Sequence, residues 1–298
     1  MKKSSPSNRD KIILAQHYME KNLDQSIHLN QIAKASFLSP FHFHRMFHAM
    51  VGITPRLYFE KIKLERAAFL LTVTNYSIAD IAWELSYENP ESFARSFKKN
   101  FQKTPTEFRK QYSRIGFDVS FTSGKENNQL TTNESNLGKF IKRNFENNSI
   151  AYFRHIGPWK KSHKPWRKLI DCSLQLGIFK ESSQLIGIWY DDPLLVSKEN
   201  QRFDLGICLP SKSFERKILQ EKFGFSFDNI QGTYLCFPYS GDFSYLENVY
   251  LKIYKWLADN TNVAISNKPA IEMYKKFPPF YSGSDCALEV CIPINSQD

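Results

Sequence analysis

Residues 29–59, LNQIAKASFLSPFHFHRMFHAMVGITPRLYF, and residues 77–109, SIADIAWELSYENPESFARSFKKNFQKTPTEFR, carry one pattern twice. Ile32 and Ala33 align with Ile81 and Ala82, Pro40 with Pro90, Phe43 with Phe93, Phe47 with Phe97, and Thr54-Pro55 with Thr104-Pro105. Each copy predicts a short helix, a turn, and a longer helix opened by a capping residue and a proline. Two helix-turn-helix units in tandem predict an all-α domain over residues 1–112 that reads DNA. Between them Pro55 opens LYFEKIKLERAAFLLTVT, a run without internal Pro or Gly. A helix of that length, at about 1.5 Å per residue, spaces two recognition helices by close to one turn of DNA. A further amphipathic helix is expected over residues 9–23, with Ile12, Ile13, Ala15 and Met19 inward.

In the first long helix Phe43, Met46, Phe47 and Met50 follow the i, i+3, i+4, i+7 rule and form its core face. Phe41, His44 and Arg45 lie opposite. In the second, Phe93, Phe97 and Phe101 face inward, and Ser92, Arg95 and Lys99 face out. Arginine takes guanine O6 and N7 in a bidentate bond, and Arg45 and Arg95 occupy equivalent places. The competing reading, ordinary solvated side chains, is weakened by that equivalence. His44 and His48 have a metal-compatible spacing, but no nearby carboxylate or cysteine completes a site, so no metal is expected.

The charge agrees with a phosphate-binding surface. The net charge is +10, and residues 1–112 hold 17 of the 40 basic but only 10 of the 30 acidic residues. The five cysteines, Cys172, Cys208, Cys236, Cys286 and Cys291, form no CxxC pair and are expected as reduced, packed thiols. The N-terminal apolar run is too short for a signal peptide, and nothing approaches a membrane span, so a soluble cytoplasmic protein is expected.

Composition changes after Ser113 to the polar GKENNQLTTNESN, expected as a linker over residues 113–136. The remainder, 137–298, has its own repeat: residues 151–177 match residues 235–261 at an offset of 84. Each copy reads as strand, turn, helix and paired strands, which predicts an α+β domain with a duplicated strand-helix-strand-strand unit and a ligand cleft between the halves. Glu272 and Tyr274 share a strand face. With Glu289 they suggest a carboxylate pocket for an organic cation, walled by Tyr152, Trp159, Trp166, Tyr190, Phe237 and Tyr239. Asp191-Asp192-Pro193 reads as a turn, and Arg202 and Asp204 as local structural pairs. No nucleophile–base–orienter set, GxSxG, P-loop or HExxH is present, so no catalytic residue is assigned and no cofactor is expected.

The run IADIAWELSYENPESFARSFKKNFQKTPTEFRK resembles the tandem helix-turn-helix domain of AraC/XylS transcription regulators. The resemblance implies that Phe41, His44 and Arg45, with Glu91, Ser92 and Arg95, meet promoter DNA. Ser86 and Gln102 stand where that family commonly has glycine. AYFRHIGPW, GIWYDDPLL, RFDLGICLP, KWLADN, PAIEMY and LEVCIPI, in that order, are similar to the GyrI-like effector-binding domain. That implies a small, cationic or aromatic effector and an acidic ligand-binding residue at Glu272. The expected partners are double-stranded DNA, the effector and RNA polymerase. A hydrolase activity, known among GyrI-like domains, or a protein-inhibitor role is the alternative for this half.

Overall fold

The computed structural model describes residues 7–113, 140–179, 183–192, 195–209, 216–259, 263–275 and 285–295. The expected linker, apart from Ser113, lies outside the described residues. The helical half comprises α1 (Asn8–Lys21), α2 (Leu29–Ala35), α3 (Pro40–Val51), α4 (Pro55–Val73), α5 (Ile78–Glu84), α6 (Pro90–Phe101) and α7 (Pro105–Tyr112). Local chemistry starts each recognition helix. Ser39 Oγ accepts the His42 N–H at 3.4 Å, and Asn89 Oδ1 accepts the Ser92 N–H at 2.8 Å, with proline next in both. Phe43, Phe47, Phe93 and Phe97 are completely buried. Met50, expected inward, is 47% exposed in the last turn of α3, beside the Gly52 cap.

The turns explain the two glycine departures. Phe37 and Ser86 sit between the helices of each unit with φ of 56° and 53°, and Gly52 and Gln102 end the recognition helices with φ of 83° and 58°. All four are left-handed, a region where an L side chain costs about 1–2 kcal/mol. Ser86 recovers part of this by donating its hydroxyl to the Asp24 carbonyl. Gln102 gains only an exposed amide bond to the Lys99 carbonyl at 3.0 Å.

The second half is a closed six-stranded barrel. It runs β1 (Ile141–Ile156), α8 (His163–Gln175), β2 (Leu185–Trp189), β3 (Arg202–Cys208), α9 (Arg216–Phe223), β4 (Ser226–Asp242), α10 (Leu246–Asp259), β5 (Ala270–Tyr274) and β6 (Asp285–Ile294). Strand order is β1-β3-β2-β5-β6-β4, closing back on β1, with every pair antiparallel. The repeat appears as β1–α8–β2–β3 and β4–α10–β5–β6. The period of two sorts the strands into two cores. Ile150, Tyr152, Ile188, Tyr234 and Ile271 fill the barrel, while Ala151, Phe153, Leu235, Phe237 and Leu288 pack outward with Leu169 of α8 and Ile253 and Leu257 of α10. Cys236 and Cys291 are directly opposed on β4 and β6 and form a buried disulfide, which corrects the expectation of five reduced thiols.

The two halves are joined through a buried ion cluster, and α1 enters it from one side. Glu20 accepts two bonds from Arg154, at 3.0 Å each, and one from Arg202 Nη1 at 3.0 Å. Arg154 also holds Asp204, which faces it across β1 and β3. Arg202 holds Asp191 and donates to the Tyr58 hydroxyl of α4 at 3.0 Å. Arg202 and Asp204 were expected as local pairs; they also tie the domains together, Arg202 directly to Glu20 and Asp204 through Arg154. Burial pushes the Glu20 carboxyl up, but the Arg154 and Arg202 guanidiniums outweigh it and hold it at about 2. His17 is lowered, chiefly by burial and then by Arg154, and stays neutral. At the edge, Arg66 donates to Asn267 Oδ1 at 2.9 Å and to the Ser266 carbonyl at 2.6 Å, and Lys21 pairs with Asp228.

Two outcomes follow for stability. Glu20→Gln leaves two buried guanidiniums short of a carboxylate and costs roughly 3–5 kcal/mol in urea unfolding; a loss under about 1 kcal/mol contradicts the cluster's role. Gln102→Gly, which relieves a left-handed side chain, stabilises by about 1 kcal/mol, whereas Ser86→Gly also loses its bond to Asp24 and comes out near neutral. Thermal midpoints of the two variants check the order.

Candidate functional site

The exposed faces of α3 and α6 carry the residues expected at DNA. Phe41 is 68% exposed. His44, Arg45, Glu91, Arg95 and Lys99 are also exposed, and Ser92 is half-buried. The Arg45 guanidinium lies 5.6 Å from the Phe41 ring centroid, so that pair is partly ordered before any contact. Ser92 Oγ donates to the Asn89 carbonyl at 2.9 Å, a local bond that a base contact would have to replace. The 19 residues of α4 give a rod of about 28 Å between the two units.

The second site is a cavity of about 190 Å³ lined by both halves of the barrel domain, as the repeat suggested, and closed on its far side by the helical half. It lies between the domains. The barrel half contributes Trp159, Trp189, Tyr190, Phe243, Tyr250 and Glu272, and the helical half contributes Ile62, Glu65, Arg66 and Phe69. Glu272 on β5 is fully buried. Its carboxylate accepts from the Tyr250 hydroxyl of α10 at 3.0 Å and from the Tyr274 hydroxyl. Trp189 Nε1 is buried without a hydrogen bond of normal geometry, yet the indole N–H also favours the carboxylate. Gly187 faces Glu272 across β2 and β5, and a Cβ there would stand 3.2 Å from the Tyr274 hydroxyl and 3.4 Å from Trp189 Nε1. A side chain there would push one of these two groups away by a few tenths of an ångström.

Glu272 makes no ion pair with a described residue. The cations of the cavity are engaged elsewhere: Arg66 with Asn267 and Ser266, Lys268 with the Gln231 carbonyl, and Arg202 with Asp191. Burial therefore dominates and pushes Glu272 up to about 7, with the Tyr274, Trp189 and Tyr250 donors pulling it partly back. The hydroxyls of Tyr250 and Tyr274 are themselves pushed well up by burial and remain protonated donors.

Five expected pocket residues lie elsewhere. Glu289 pairs in register with Met273, not Glu272, so it faces the barrel interior, where Arg143 and Lys275 hold it at 3.0 Å and 2.8 Å. Tyr152 also faces the interior, 5.1 Å edge-on from His17. Trp166 packs edge-on against Tyr274 from outside the cavity. Tyr239 lies on β4, away from the cavity, and its hydroxyl donates to the Asp242 carbonyl at 2.7 Å. Phe237 is core, buried against Phe140 and Trp256. Tyr190 does line the cavity, but its ring carries the Arg154 guanidinium at 4.4 Å and its hydroxyl donates to Asp204. Sequence reasoning missed Trp189, Tyr250 and Phe243. Trp189 had a signal: it shares a strand face with Gly187, opposite Glu272.

The raised Glu272 has a measurable consequence. Its folded value near 7 lies above the ordinary 4.5, so the folded state holds the extra proton between these values. Stability is lost as pH rises through that window, by up to about 3 kcal/mol. Glu272→Gln should therefore stabilise the unliganded protein at pH 8, with the gain shrinking to nothing near pH 4.5; a gain independent of pH contradicts this.

Residues 139–295 match the GyrI-like small molecule binding domain, and residues 32–111 match a helix-turn-helix domain. The uncharacterised HTH-type transcriptional regulator YbfP of Bacillus subtilis is 34% identical over 114 residues, which are 38% of this chain and 37% of YbfP. The regulatory protein SoxS of Salmonella typhimurium is 32% identical over 92 residues, 31% of this chain and 86% of SoxS. A solved transcriptional regulator with an AraC-type DNA-binding domain, from Chromobacterium violaceum, is 28% identical with a TM-score of 0.35, over 36% of this chain and 96% of that one. The chain thus spans little more than a third of YbfP's length. No described helix is long and apolar enough to cross a membrane. The chain belongs to the GyrI-like small molecule binding family, and its helical half is an AraC-type helix-turn-helix domain.

Proposed function

We propose that this protein is a sequence-specific transcription regulator that reads double-stranded promoter DNA through α3 and α6 and binds a small organic cation at Glu272. The observation that carries the ligand class is the fully buried Glu272 carboxylate, unpaired by any described cation and sharing one cavity with the aromatic rings of Trp159, Trp189 and Tyr250. A buried unpaired carboxylate is costly, and a cation seated against ring faces removes that cost. A hydrolytic role fits less well, because the groups nearest Glu272 are protonated tyrosines that stabilise its charge and supply no nucleophile. The DNA reading rests on equivalent exposed arginines, Arg45 and Arg95, on two helices that are capped alike and joined by one rod.

The test has two arms. A duplex recovered by the purified chain from fragmented genomic DNA should lose about 1–3 kcal/mol of binding for Arg45→Ala and again for Arg95→Ala. Lys99→Ala should instead reduce the salt dependence by about one phosphate contact. Benzyltrimethylammonium, followed by tryptophan fluorescence, should bind at pH 8 and weaken as pH falls below about 7, where Glu272 takes its proton. Equal, weak binding to all DNA sinks the first arm, and binding unaffected by Glu272→Gln sinks the second.

A further inference from the structure

The wall of the cavity opposite Glu272 belongs to the DNA-binding half. Ile62, Glu65, Arg66 and Phe69 are spaced i, i+3, i+4, i+7 and so form one stripe along α4. The rest of α4 is the structural rod of the helical domain. It begins three residues after the cap that ends α3 and packs against α3, α5, α6 and α7. Tyr58, Leu64, Ala67, Ala68, Leu70 and Leu71 are buried in that core. Phe69 belongs to both cores: it packs within the helical half and meets Tyr254 of α10 edge-on at 5.1 Å. Its neighbour Arg66 stands 4.9 Å from the Phe69 ring and is bonded to Asn267 and Ser266 of the barrel half. A molecule in this cavity therefore touches the element that spaces the two recognition helices, with no intermediate layer.

We propose that the ligand site is bipartite: a cation seated at Glu272 packs against the Ile62–Glu65–Arg66–Phe69 stripe of α4, and that contact couples ligand occupancy to DNA affinity. The proposal rests on the reading of Glu272 as a cation site and adds the second wall and its consequence. A ligand that changes how α4 sits against the barrel stabilises one arrangement of α3 and α6 over others, and the coupling must be reciprocal. Phe69 then helps select the ligand. The aromatic ring favours a cation with an aryl group, while the Glu65 carboxylate is already paired with Arg202 Nη2 at 3.5 Å and Lys61 at 3.7 Å.

The experiment uses the full chain, benzyltrimethylammonium, and the duplex recovered from genomic DNA. Three quantities are read: probe affinity of the wild type, of Glu272→Gln and of Phe69→Leu, and duplex affinity with and without saturating probe. The expected result is probe binding that Phe69→Leu weakens about 2- to 30-fold, the range of a ring–cation contact. The saturating probe should change wild-type duplex affinity by at least about fivefold, and Glu272→Gln should abolish that change. Probe binding that depends on Glu272 but not on Phe69, with duplex affinity unmoved, overturns the bipartite site and leaves the cation reading standing. No probe binding, or binding indifferent to Glu272, overturns both. The duplex measurement on the wild type needs no variant, so misfolding of Phe69→Leu does not rescue the proposal.

Discussion

The contact between Glu20 and the two guanidiniums of Arg154 and Arg202 is what the rest of the molecule depends on. Alone, the helical half would expose a carboxylate on α1, and the barrel would leave two arginines on β1 and β3 with Asp204 and Asp191 as their carboxylate partners. Together they close a cluster that excludes water. A buried ion cluster contributes little net stability, because desolvation offsets most of its Coulomb energy. Its effect is geometric. Bidentate bonds from Arg154 to Glu20 hold α1 against the barrel, Arg202 holds α4 through Tyr58 and Glu65, and the resulting arrangement completes the cavity wall opposite Glu272.

The cavity and the cluster treat charge in opposite ways. In the cluster every carboxylate meets a guanidinium, and Glu20 is held at about 2. In the cavity Glu272 meets only neutral donors and rises to about 7. The cluster thus satisfies its acids, while Glu272 in the cavity has no cationic partner among the described residues, a partner that the proposed cation would supply. The protonated Tyr250 and Tyr274 hydroxyls orient that carboxylate.

Much of the helical half was legible in the sequence, because its signals are local. Caps at Ser39 and Asn89, prolines at the first helical position, and phenylalanines at i and i+4 lie within one turn of what they specify. The left-handed turns at Ser86 and Gln102 were legible as departures from glycine. The duplicated strands and helices of the second half were also legible, since a period of two and an 84-residue offset need no tertiary information, but α9 and the closure of the sheet into a barrel were not. What escaped was long-range. Glu272 and Glu289 both sit on strands among apolar residues, and only the register, Glu272 against Val290 and Glu289 against Met273, puts them on opposite faces. Tyr152 misled for the same reason of parity. The disulfide depends on Cys236 and Cys291, 55 residues apart, being directly opposed. His17 and Glu20 look like solvated positions of an amphipathic helix, and nothing within α1 reveals that a second domain buries them.

Hydrogen–deuterium exchange of the full chain, with and without benzyltrimethylammonium, tests the shared cavity most directly. The account predicts that peptides covering residues 60–73 of α4 and residues 270–274 of β5 change protection together on ligand binding. Changes confined to the barrel, with α4 exchanging at the same rate in both states, would contradict it.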